Sequence, residues 1–152
     1  MVREIRDDEL QELLGLYLFL HEVEVPEVSE AILNTWKKIT ADENYHIIVK
    51  EVEGKIVASC TCIVVPNMTR GVTPYALVEN VVTHGDYRGC GYASECLKRA
   101  DEIAMAAGCY KLMLITGSSD EKTHAFYRRA GYSSEGKTAY YKLLKEVNWK
   151  KL

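Results

Sequence analysis

Two rhythms take turns along this chain: apolar residues alternate with polar ones in some stretches and recur every three to four residues in others. Val2-Arg3-Glu4-Ile5 is short and alternating, which predicts a first strand. Asp7 and Asp8 then open a helical pattern, with Leu10, Leu13, Leu14, Tyr17 and Leu18 on one face. Pro26 breaks that pattern, and Ser29 stands where it can cap a second helix carrying Ile32, Leu33, Trp36 and Ile39. Tyr45 to Val52 is β-branched and alternating, Glu53-Gly54-Lys55 is a turn, and Ile56 to Val65 is the returning strand. Pro66 to Pro74 reads as a loop before a central strand that starts near Tyr75 and runs to Val82.

The second half changes rhythm again. Ala93, Cys96, Leu97, Ala100, Ile103, Ala104 and Ala107 mark one helical face, and Gly108 stands at the expected C-terminal stop. Lys111 to Thr116 predicts a buried strand. Ser118 and Glu121 have the spacing of a capping box ahead of a helix with Phe126 and Tyr127, which Gly131 ends. Tyr132 to Ser134 and Lys137 to Leu144 predict closing strands. This order of elements implies an α/β domain, a mixed sheet flanked by helices, over residues 1–152.

Composition narrows the classes. A chain of 152 residues, 47% apolar and 27% charged, suits one globular domain with its own core. The net charge of −3 argues against nonspecific nucleic-acid binding, which needs a basic face. No run approaches the ~20 apolar residues of a membrane span, and the charged start Met1 to Asp8 is unlike a signal peptide. A cytoplasmic protein with neither nucleic-acid nor membrane partners is expected. The five cysteines are odd in number and lack paired C-x-x-C spacing, so neither a disulfide framework nor a metal site is expected.

The chemistry concentrates in Tyr87-Arg88-Gly89-Cys90-Gly91-Tyr92-Ala93, between the central strand and the following helix. Small residues at 89, 91 and 93 leave backbone N–H groups bare ahead of a helix N-terminus, and Arg88 adds a full positive charge. Such a turn suits a pyrophosphate. It is not a Walker loop, because no Gly-Lys-Ser/Thr follows. Nor is it a dinucleotide fingerprint, because Ser94 stands where the third glycine belongs. Cys90 lies in the loop, and a catalytic thiol there would need an activating base.

Arg88, Gly91 and Ala93 fit Arg/Gln-x-x-Gly-x-Gly/Ala, which resembles the acetyl-CoA loop of the GNAT superfamily of N-acyltransferases. Glu79-Asn80-Val81-Val82-Thr83 is similar to that family's fourth strand, and the run from Thr123 to Tyr132 to its Phe-Tyr helix. The specific likeness covers Leu77 to Tyr132. It implies a mostly antiparallel sheet of six to seven strands and direct acetyl transfer from acetyl-CoA to a primary amine of a small molecule in a ternary complex.

The same likeness implies that Val81, Val82 and Thr83 meet the pantetheine and polarise the thioester. Arg88, Gly89, Cys90, Gly91, Tyr92, Ala93 and Ser94 would take the diphosphate, and Asp120, Thr123, Phe126 and Tyr127 would line the cosubstrate from the later helix.

Tyr127 is the implied acid. A phenol of pKa ~10 can protonate a departing thiolate whose conjugate acid has a pKa ~8.5. Glu79 is the candidate base for an ammonium acceptor, with His84 or water as substitutes. Strict alternation from Leu77 puts Glu79 on one face with Leu77 and Val81. His124 is expected to face the cosubstrate or solvent, and His21 and His46 have no suggestive partners. Arg128 and Arg129 are expected either to reach the adenosine phosphates or to form a solvated face, and Tyr140 or Tyr141 to line the acceptor pocket.

Two positions depart from the family: Asp120 replaces a common asparagine, and Gly85 a common proline. Gly108-Cys109-Tyr110-Lys111, with Glu79 to Val82, is locally similar to glucosamine-6-phosphate N-acetyltransferases. A homodimer is compatible with the family. The alternatives are a non-catalytic acyl-CoA-binding regulatory domain, or an aminoglycoside or peptide N-acetyltransferase; an aminoglycoside acceptor implies an acidic cleft, and Glu22, Glu24, Glu27 and Glu30 are expected either to supply it or to form a solvated helical face.

Overall fold

In the computed structural model, which describes residues 1–20 and 22–144, five strands form one sheet in the order β1-β2-β3-β4-β5. They are β1 (Val2–Glu4), β2 (Tyr45–Val52), β3 (Lys55–Val65), β4 (Tyr75–Thr83) and β5 (Leu112–Met113). Neighbours are antiparallel except β4 and β5, which are parallel. The β2–β3 hairpin closes through Glu53 and Gly54, with φ of 49° and 79°. Two left-handed residues in a two-residue loop match the right-handed strand twist.

The described residues form four α-helices: α1 (Leu10–Tyr17), α2 (Glu30–Thr40), α3 (Tyr92–Ala106) and α4 (Glu121–Arg129). On one face, Ala58, Cys60, Cys62, Ala76 and Val78 pack against Cys96, Leu97, Ala100 and Ala104 of α3. On the other, Ile47, Val49, Ile56 and Val82 pack against Leu13 and Leu16 of α1 and Trp36 of α2. Two apolar strand faces need two helical covers, and the alternation along β2 to β4 supplies both. Arg3 locks the entry to α1 by bonding both Glu9 (2.6 Å) and Glu51 (2.6 Å). Its guanidinium, first by hydrogen bonding, holds the Glu9 carboxyl below the usual range.

Several boundaries differ from the sequence expectation. The first helix opens as a 3-10 turn over Asp7–Glu9, and α3 starts at Tyr92 with Gly91 as its N-cap. Ser118 does not cap α4. Asp120 does, its Oδ1 accepting from the Lys122 N–H at 2.9 Å, while Ser118 Oγ accepts from the Asp120 N–H. As expected, Ser29 Oγ caps α2, accepting from the Ile32 N–H.

The sheet has five strands among the described residues rather than six to seven. The expected strand from Lys111 to Thr116 shrinks to Leu112–Met113, and neither Tyr132 to Ser134 nor Lys137 to Leu144 joins the sheet. A strand needs a partner edge and a buried face. Tyr140 and Tyr141 are 92% and 76% exposed, so their alternation buries nothing in this chain.

Helix α4 ends in a paired backbone lock. Gly131 (φ 90°) donates to the Arg128 carbonyl and Tyr132 to the Tyr127 carbonyl, both at 3.0 Å. The same lock sets the Tyr127 and Tyr132 rings edge to face, with centroids 6.2 Å apart. Gly131→Ala places a Cβ in the left-handed region and should cost about 1–2 kcal/mol. The urea midpoint should fall with an unchanged m-value.

Candidate active site

Strand β4 is paired on its β3 side up to Thr83, which faces Ala58. On its β5 side the ladder has only Ala76 opposite Leu112 and Leu77 opposite Met113. Beyond those rungs the two strands part, and the later residues of β4 present an open edge. That edge carries backbone N–H and C=O groups with no β5 partner, which is what a bound chain-like ligand can use.

Asn80 adds a second irregularity. Thr61 faces Glu79 and Ser59 faces Val82, so Asn80 and Val81 together stand opposite Cys60. Asn80 has φ of 53°, a left-handed conformation that asparagine tolerates better than most residues. This is a β-bulge, and it resets which face each side chain meets. Val78 and Val81 pack with the α3 core, while Val82 joins the α1 core. Strict alternation therefore fails: Glu79 and Val81 lie on opposite faces, because one extra residue stands between them and the pleat.

The turn after β4 approaches α3 bare. Gly89 and Gly91 have φ of 79° and 81°, and nothing lies within 4 Å of where a Cβ would stand on either. None of the N–H groups from Gly89 to Ser94 meets an acceptor among the described residues, and the N-cap Gly91 offers no side chain to satisfy them. Alternating backbone handedness makes a concave cluster of amides here, and the 15-residue α3 points its positive end into it. Arg88, exposed, donates to the Phe19 carbonyl at 3.5 Å and so ties the end of α1 to this turn. Donors without acceptors around open space fit an anion such as a pyrophosphate.

Tyr127 rises from α4 into the half-buried space beside β4, its ring 4.9 Å from that of Phe126. Burial first, then nearby Cys60 and Glu79, push its phenol above the ordinary value. Glu79 is exposed, and its charge also raises Tyr45, after burial. Tyr17 is pushed up to about 12, chiefly by burial. Tyr17 and Tyr45 both stand beside Thr61 of β3, whose Oγ1, like that of Ser59, is buried without a hydrogen-bond partner among the described residues. The Glu79 carboxylate is thus flanked by phenols from two sides of the sheet, all protonated at neutral pH.

The remaining expected residues fall around this centre. Tyr92 opens α3 with its ring 5.0 Å from Lys50 Nζ, and Ala93 and Ser94 complete the first helical turn. Val82 is buried and Thr83 half-buried at the end of β4. Thr123 Oγ1 accepts from Ser118 Oγ at 3.3 Å, and Asp120 is engaged as the cap of α4. Cys90 is exposed, its Sγ 3.8 Å from the Arg88 carbonyl, which is no base.

The His84 ring stacks on Phe19 at 4.2 Å, and its Nδ1 accepts from the Asp86 N–H at 3.3 Å, so that nitrogen is occupied. His46 pairs with Glu4 on the far edge of the sheet, Arg128 bonds Glu121, and His21 lies outside the described residues. Sequence reasoning missed Tyr17, Tyr45 and Thr61, which converge only in the fold. It also missed the bulge, for which an asparagine inside an apolar strand was the available signal.

The profile of the acetyltransferase (GNAT) family matches residues 6–132. The chain belongs to that family. A solved structure from Agrobacterium tumefaciens named "Putative acetyltransferase" is 36% identical and covers 94% of this chain and 99% of its own, with a TM-score of 0.87. A glucosamine 6-phosphate N-acetyltransferase from Trypanosoma brucei brucei is 35% identical over 79 residues, 52% of each chain. The chain therefore spans about half the length of the curated relatives it matches. The glucosamine-6-phosphate N-acetyltransferase of Arabidopsis thaliana has a TM-score of 0.80 at 20% identity over 95% of this chain and 98% of its own, a likeness of fold alone. No described helix is long and apolar enough to cross a membrane.

The raised Tyr127 phenol has a direct test. Ultraviolet difference titration of the wild type against Tyr127→Phe should show one phenol ionising above the pH at which free tyrosine does. A midpoint at or below that of free tyrosine would contradict the burial described here.

Proposed function

We propose that this protein is an acetyl-CoA-dependent N-acetyltransferase acting on a primary amine of a small molecule. The observation that carries the reading is the run of unpartnered N–H groups from Gly89 to Ser94 at the start of α3, next to a β4 edge that β5 leaves open. Acetyl-CoA, as cosubstrate, supplies the activated acetyl thioester. The amides from Gly89 to Ser94, with Arg88, hold its diphosphate. The open edge around Val81, Val82 and Thr83 holds the pantetheine by backbone hydrogen bonds and directs fixed N–H dipoles at the thioester oxygen.

Two side chains carry the protons. Glu79, exposed on the α1 side of β4, takes a proton from the acceptor ammonium, directly or through water. Tyr127, protonated at neutral pH as any phenol is and held so to higher pH by its burial, gives its proton to the departing thiolate. The names of the relatives, which include glucosamine 6-phosphate N-acetyltransferases, support an acceptor that is a small amine.

A panel of amines screened for release of free coenzyme A tests this reading. With a working amine, Tyr127→Phe should lower kcat by about 10²–10⁴-fold while binding of acetyl-CoA, read by calorimetry, stays within twofold. Unchanged turnover in that variant would remove Tyr127 from the chemistry.

Gly89→Asp keeps a residue that tolerates positive φ but adds a negative charge to the amide cluster. Affinity for coenzyme A should fall by at least about tenfold. Unaltered affinity would show that the diphosphate lies elsewhere.

A further inference from the structure

Strand β3 runs through the middle of the sheet, and its two faces differ in kind. Toward α3 it turns Ala58, Cys60, Cys62 and Val64, all packed in that core. Alternation therefore turns Ser59 and Thr61 toward α1. Both residues are 0% exposed, and neither Ser59 Oγ nor Thr61 Oγ1 has a hydrogen-bond partner among the described residues. A hydroxyl taken out of water and left unpaired carries the full cost of losing its hydration. Valine suits a strand as well as threonine does and carries no such cost. A buried orphan hydroxyl therefore asks for a physical account.

The surroundings of the two hydroxyls separate them. Ser59 stands between Val49 of β2 and Val82 of β4, so apolar groups wall it on both sides. Thr61 stands between Ile47 of β2 and Glu79 of β4. Directly opposite residues on a sheet hold their Cβ atoms about 4.5–5.5 Å apart. The Glu79 carboxylate lies two carbons beyond its own Cβ, so it can fold to within hydrogen-bond reach of Thr61 Oγ1.

Two phenols close on the same hydroxyl. Tyr45 pairs with Ile63, two places along β3 from Thr61, and so lies diagonal to Thr61 on the α1 face. Tyr17, the last residue of α1, comes down from the helix layer into the same core. Both stand beside Thr61 without bonding it.

A threonine hydroxyl has one hydrogen to donate and two lone pairs with which to accept. Around Thr61 stand two phenols, each with a hydrogen to give, and one carboxylate that only accepts. The complements match. With Tyr17 and Tyr45 donating to Thr61 Oγ1, and Thr61 donating to Glu79, every bonding position of Thr61 is filled. All three hydroxyl dipoles then point toward the carboxylate, and each bond polarises the next. Ser59 has no such neighbours. Glu79 itself is exposed and bonded to nothing else among the described residues, so a donor fixed in the sheet is what gives its carboxylate a direction.

We infer that Thr61 is a positioning residue for Glu79: with Tyr17 and Tyr45 behind it, its hydroxyl donates to one carboxylate oxygen and leaves the other facing the acceptor ammonium. This rests on the acetyltransferase reading above and adds what orients its base. Thr61 gives up no proton and acts only through Glu79.

The test measures urea unfolding and release of coenzyme A for the full chain in wild type, Thr61→Val, Thr61→Ser, Ser59→Ala, Glu79→Gln and the Thr61→Val, Glu79→Gln pair. The acceptor is the amine that wild type uses best among glucosamine 6-phosphate, glucosamine, kanamycin and spermidine. Thr61→Val should unfold at a urea midpoint at or above that of wild type, because it removes an orphan hydroxyl. Its kcat should nevertheless fall about tenfold, the effect of losing one hydrogen bond to a charged group, while KM for acetyl-CoA is unchanged. Thr61→Ser keeps the hydroxyl and should recover most of that loss. Ser59→Ala should hold its stability in the same way and turn over as wild type does. In the Glu79→Gln background, Thr61→Val should cost nothing further.

Wild-type turnover in Thr61→Val, or an equal loss in Ser59→Ala, would overturn the positioning role and leave the acetyltransferase reading standing. A lowered urea midpoint together with a kcat loss that persists when residue 79 is glutamine would mark a structural role and overturn it equally. Wild type that releases no coenzyme A with any of the four amines would overturn the acetyltransferase reading, and the positioning role with it.

Discussion

The site depends on a strand that is hydrogen-bonded along its length on one side and abandoned early on the other. If β5 followed β4 beyond Leu77 and Met113, the backbone groups that a thioester-bearing chain needs would be spent on the sheet. If β3 did not hold the other edge up to Thr83, those groups would have no fixed direction. A single open edge inside an otherwise closed sheet gives oriented dipoles without reorganisation. The bulge at Asn80 lies within this stretch, where the added twist helps turn the chain away from β5.

Charge is arranged along the same strand. At its C-terminal end lie the bare amides, the positive pole of α3 and Arg88. Midway is Glu79, near enough to raise the phenols of Tyr45 and Tyr127. At its N-terminal end are Lys111 and Arg70 around Tyr110. Positive, negative and positive regions therefore follow one another along one strand. Burial acts on the tyrosines in one sense throughout: it keeps them neutral and able to donate.

Much of this was legible beforehand where local chemistry dictates structure. The tight β2–β3 turn, Ser29 as a cap, the glycines at 108 and 131 and the bare turn from Arg88 to Ala93 all follow from backbone freedom or side-chain hydrogen bonding within a few residues. Legibility failed where a residue's fate depended on a distant partner. Lys137 to Leu144 has a strand's alternation but pairs with no strand among the described residues. Lys111 to Thr116 loses most of its length because β4 turns away. Ser118 has capping spacing, yet Asp120 nearer the helix takes the position.

By itself, then, the sequence determined the order of the elements, the two apolar strand faces and the anion-ready turn, because each is a short-range consequence of periodicity, glycine and helix polarity. Tertiary structure alone decided which face Glu79 occupies, that Tyr17 and Tyr45 gather at Thr61, and that Arg70 and Lys111 share one aromatic ring. Those outcomes turn on one inserted residue in a pleat and on contacts between segments far apart in the chain. No local rule can count through a bulge it does not see, and no spacing can report a neighbour brought in by packing.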